Sequence, residues 1–68
     1  MPKLLSSKEI IAILILKGFV LKSVKGSHHK YIKEEKTVIV PHPKSEIPYG
    51  TFLSITKQAG LTKTDFDL

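Results

Sequence analysis

A chain of 68 residues holds one small domain with a thin core, and a composition of 41% hydrophobic and 25% charged residues excludes a disordered tail or a fibre. No cysteine is present, which excludes disulfide staples and thiolate metal sites and fits a reducing compartment. The net charge of +5 is unevenly placed: residues 1–44 carry nine Lys against Glu9, Glu34 and Glu35, whereas residues 45–68 carry Lys57 and Lys63 against Glu46, Asp65 and Asp67. Such a field draws polyanions and favours nucleic acid or anionic lipid as partner. A solubilising lysine surface is the alternative reading.

In chain order, Ser6-Ser7-Lys8-Glu9 has the S-x-x-E form of a capping box and predicts a helix start. Ile10, Ile11, Ile13, Leu14 and either Leu16 or Lys17 continue an apolar stripe at helical spacing until Gly18 supplies a left-handed stop. The run Ile10–Leu16 spans seven residues, far short of the roughly 20 that cross a bilayer. With Glu9 before it and Lys17-Gly18-Phe19 after it, it does not read as a secretory signal, so a cytoplasmic, membrane-free protein is expected.

Three short stretches rich in β-branched and aromatic residues follow, over 19–24, 28–32 and 37–40. Lys25-Gly26-Ser27 and Lys33-Glu34-Glu35-Lys36 separate them as hairpin connections, which predicts a three-stranded antiparallel meander. Pro41 and Pro43 should end the third strand, leaving 41–47 as a loop. A second helix begins between Pro48 and Thr51 and runs to Ala59, with Phe52 and Ile55 in the core and Gly60 as its stop. Gly50 would permit a close backbone approach near its start. Leu61 and Phe66 are the apolar residues of a short tail. The fold class is therefore α+β, in the order α-β-β-β-α, as one domain over 1–68, with both helices on one face of the sheet and the other face open.

Chemistry concentrates in Lys25-Gly26-Ser27-His28-His29-Lys30-Tyr31. A histidine at a strand start beside lysines suits phosphodiester chemistry, since it exchanges a proton near neutral pH while cations hold the phosphate. A solvated surface histidine is the plain alternative. Strand alternation sends His28 and His29 to opposite faces, so only one shares a face with Lys30. Adjacent histidines on a strand cannot both reach one ion, and no H-E-x-x-H spacing occurs, so no metal site and no cofactor is expected. Ser27 beside His28 in sequence is not a Ser–His dyad, which requires spatial pairing.

Gly18-Phe19, Gly26-Ser27-His28-His29-Lys30-Tyr31, Val38-Ile39-Val40-Pro41, Gly50-Thr51-Phe52-Leu53-Ser54-Ile55 and Lys57-Gln58-Ala59-Gly60-Leu61 stand in an order and spacing that resemble the HicA toxins, the RNA-cleaving halves of HicA–HicB toxin–antitoxin pairs. The resemblance runs from Ser7 to Phe66. It implies a fold like a double-stranded-RNA-binding domain, metal-independent cleavage of mRNA by a ribose 2′-hydroxyl attacking its neighbouring phosphate, and neutralisation by a HicB-like antitoxin. It also implies His28 as the catalytic histidine, with Gly26 and Ser27 as the turn that presents it. Lys22, Lys25 and Lys30 would then neutralise the phosphate, and Tyr31, His29 and His42 are candidates for a second proton-transfer group. Lys30 stands where a typical member carries an aliphatic residue. A non-catalytic RNA-binding module and a protein-interaction module are the competing functions.

Overall fold

The computed structural model describes residues 4–67; residues 1–3 and 68, the ends of the expected domain, lie outside the described residues. Helix α1 (Ser7–Leu16) begins as its capping box dictates: the Ser6 hydroxyl accepts from the Glu9 N–H at 3.1 Å, and the Glu9 carboxylate accepts from the Ser6 N–H at 2.9 Å. It stops where Gly18 takes φ +98°, a conformation with little cost only for glycine. Ile10 and Leu14 are fully buried and Ile11 and Ile13 lean on the same core. Leu16 does not join them. It is 83% exposed, because the stripe drifts off the core-facing side in the last turn.

Strands β1 (Val20–Lys25), β2 (His28–Lys33) and β3 (Lys36–Pro41) form one antiparallel sheet in the order β1-β2-β3. Gly26 at φ +59° makes the two-residue turn between the first pair, as primed hairpin turns require, and Glu34 at φ +55° does so between the second. Pro41 ends β3, but as its last paired residue, opposite His28, and not as the first residue of the expected loop. The His42 N–H donates to the Ser27 carbonyl at 2.8 Å. By antiparallel alternation, Pro41 therefore sits where its missing N–H would face away from β2.

Helix α2 (Tyr49–Ala59) ends at Gly60 in the left-handed conformation and buries Phe52, Ile55 and Ala59. Gly50, near its start, has open space around it. Both helices pack against β3, on the face where Tyr31, Val38 and Val40 are buried. The opposite face is open. The segment between β3 and α2 is not a bare loop: Ile47 is completely buried, and its N–H donates to the Leu5 carbonyl at 2.7 Å. The tail folds as a 3₁₀ turn (Lys63–Phe66), capped by Thr62 and Asp65, which seats Phe66 edge-on against Phe52 with ring centroids 5.2 Å apart.

Candidate active site

Register decides what His28 can meet. On the open face the ladder places Lys25, His28 and Pro41 side by side, and next to them Ser23, Lys30 and Ile39. Neighbours along such a row lie about 5 Å apart between Cα atoms. Five of these side chains, Ser23, Lys25, His28, Lys30 and Ile39, line an open depression of about 260 Å³. An exposed imidazole thus shares a shallow basin with two exposed ammonium groups, a hydroxyl and an apolar wall.

This basin brings together three of the residues expected from sequence, Lys25, His28 and Lys30. Gly26 and Ser27 form the turn at its end, with the Ser27 carbonyl tied to the His42 N–H. Lys22 is exposed and falls at the register shift between Leu21 and Ser23, and it is not among the lining side chains. Ser23 and Ile39 were missed by sequence reasoning. Strand alternation could have found both, once the register was known.

The three candidates for a second proton-transfer group do not share the basin. His29 and Tyr31 point to the helix-covered face; Tyr31 is buried, and burial pushes its phenol above the ordinary range by disfavouring the phenolate. His42 sits with His29 in edge-to-face contact at 4.8 Å between ring centroids. Its Nδ1 lies 2.7 Å from the Ser7 hydroxyl oxygen. That hydroxyl also accepts from the Lys44 N–H at 2.9 Å and lies 3.2 Å from the Lys44 carbonyl. The pair has the spacing of a Ser–His dyad, but Ser7 is 1% exposed and closed in by these contacts, so no substrate reaches it. The Ser7–His42 contact fastens the 41–47 segment to the start of α1.

Among the described residues, no three His, Cys, Asp or Glu side chains gather as a metal-binding group, and no helix is long and apolar enough to cross a membrane.

No curated protein matches the chain. The family model for the HicA toxin of bacterial toxin–antitoxin systems matches residues 7–61, from the first turn of α1 to just past α2. That span contains the sheet, the basin and both helices, and the chain belongs to the HicA toxin family.

Proposed function

We propose that this chain, acting as a single HicA-like domain over residues 1–68, is a toxin that cleaves mRNA without a metal ion and is held in check by a HicB-like antitoxin. The observation that carries the reading is the basin on the open sheet face, where His28 lies between Lys25 and Lys30. Among the described residues nothing on that face hinders access by a single strand, whose phosphates the two ammonium groups would hold.

In this reaction the His28 imidazole takes the proton of a ribose 2′-hydroxyl. The 2′-oxygen forms a bond to the adjacent phosphorus as the bond from phosphorus to the 5′-oxygen breaks, leaving a 2′,3′-cyclic phosphate and a 5′-hydroxyl. Lys25 and Lys30 offset the negative charge that builds on the phosphoryl oxygens. The departing 5′-oxygen takes its proton from the basin, where these same lysines are the remaining proton-bearing cations, or from water. Gly26 and Ser27 hold the turn, and Lys22 extends the basic track beside it.

The test is cleavage of a defined single-stranded RNA in EDTA by the wild-type chain and by His28→Ala, with the product ends analysed. Wild type should leave 2′,3′-cyclic or 3′-phosphate ends, and the variant should be slower by about 10²–10⁴-fold. Equal rates would remove His28 from the mechanism. RNA binding without cleavage by wild type would make the chain a binding module.

A further inference from the structure

The sheet has two edges, and only one is finished. On β3 the outward-facing N–H of Ile39 donates to the Gln58 side-chain carbonyl at 3.3 Å, and α2 packs alongside. On β1 no such cover exists among the described residues: all six residues, Val20–Lys25, are exposed. Among the described residues, no backbone hydrogen bond other than those to β2 reaches this strand. Antiparallel alternation, fixed by the Ser27–His42 bond, makes Leu21 and Val24 the residues whose N–H and C=O groups point out from this edge.

Those two residues also carry apolar side chains on the helix-side face. The helices reach β3 but leave β1 bare, so Leu21 and Val24 remain 52% and 53% exposed. A bare edge with apolar residues is a ready template for another strand, and what blunts this one, the register shift at Lys22 and the charges of Lys22 and Lys25, opposes a basic strand and not an acidic one.

Charge selects the occupant. From Ile10 to Lys33 the chain has Lys17, Lys22, Lys25, Lys30 and Lys33 and no acidic residue. A second copy of this chain would set Lys22 and Lys25 of both strands into one interface, which like charges oppose. An acidic strand meets the opposite condition. Its apolar residues would lie over Leu21 and Val24, and on the other face its carboxylates would stand beside Lys25, which lines the His28 basin.

We propose that the outer edge of β1 is the docking site for an acidic, extended segment of the partner antitoxin, added as a fourth strand. Such a strand satisfies the open backbone groups, buries the bare apolar pair and neutralises the cation next to His28 in one step. Naming the antitoxin as the source rests on the toxin reading; the strand addition itself does not depend on RNA cleavage.

The probe is an acetylated, amidated peptide alternating valine with glutamate, titrated into the ¹⁵N-labelled chain while amide exchange and chemical shifts are followed. At a peptide concentration about nine times Kd, exchange at Leu21 and Val24 should slow about tenfold. A peptide with lysine in place of glutamate should bind far more weakly. The Val24→Pro variant removes an outward donor without touching a bond to β2, so it should lose binding while its β2 and β3 amide shifts stay native. Absence of binding, or shifts confined to the His28 basin with no protection at Leu21 and Val24, would overturn the proposal. So would protection that rises with the concentration of the chain alone, because a second copy would then be the occupant.

Discussion

His28 and His29 differ by one position along β2, and that step separates the open face from the helix-covered one. The same parity puts Lys30 beside His28 and removes Tyr31 from any contact with a substrate there. Lys25 and Lys30 should each act as one phosphate contact. Replacing either with Gln is expected to weaken RNA binding and to lower the slope of log K against log salt by about 0.7, whereas Lys57→Gln on α2 should leave the slope unchanged; filter binding across a salt series measures this. Ser7 and His42 make a second contrast. Ser7→Ala removes the buried hydroxyl that meets the Lys44 N–H, the Lys44 carbonyl and His42 at once, and should cost about 1–3 kcal/mol. His42→Ala leaves the hydroxyl free to turn toward the Lys44 carbonyl at 3.2 Å, and should cost about 1 kcal/mol. Urea unfolding of the two variants orders them; a larger loss for His42→Ala would contradict this account.

At the scale of elements, a glycine stop and an apolar period made α1 and α2 legible, with a capped start for α1 alone, whereas the period alone did not say which of their apolar residues reach the core. Leu14 is fully buried and Leu16 is bare, although they lie two positions apart. Leu14→Ala should destabilise by about 2–5 kcal/mol, and Leu16→Ala should stay within about 0.5 kcal/mol of wild type. Thermal unfolding of both separates a core residue from a surface one. Pro41 gives the converse lesson. A residue that lacks a ladder donor can still pair as the last residue of a strand where that donor would face outward, as Pro41 does opposite His28. The tail was readable only as two apolar residues; its 3₁₀ turn exists because Phe66 finds Phe52 across 5.2 Å. Phe66→Ala should therefore cost about 3–5 kcal/mol, as for any buried aromatic.

For the molecule as a whole, closure depends on the tail returning to α1. Asp65 accepts from the Thr62 N–H and pairs with Lys17 at 3.2 Å. The Thr62 bond first, and then Lys17, hold its carboxyl below the usual value of 3.8. A carboxyl lowered in the folded state contributes stability above its unfolded value, and loses it as pH falls through the folded one. The melting temperature of Asp65→Asn should accordingly lie below wild type at neutral pH, and the gap should close as pH drops through the acid carboxylate range. A gap that stays constant with pH would mean that the ionised carboxylate is not what matters.

Local chemistry in the sequence determined the α-β-β-β-α order, the capping box of α1, the glycine stops of both helices, the turns at Gly26 and Glu34, and the opposite faces of His28 and His29. Each depends on residues within about four positions of one another, whose preferences act before any distant contact forms. Other features needed partners far apart in the chain. Ser23 and Ile39 became neighbours of His28 only through the β1–β2 and β2–β3 register, and Ser7 met His42 across 35 positions. The bare edge of β1 likewise follows from where the helices come to rest, over β3 and not over β1. Tertiary packing alone decided these, because hydrophobic patterns say that a face must be covered and not which strand goes uncovered.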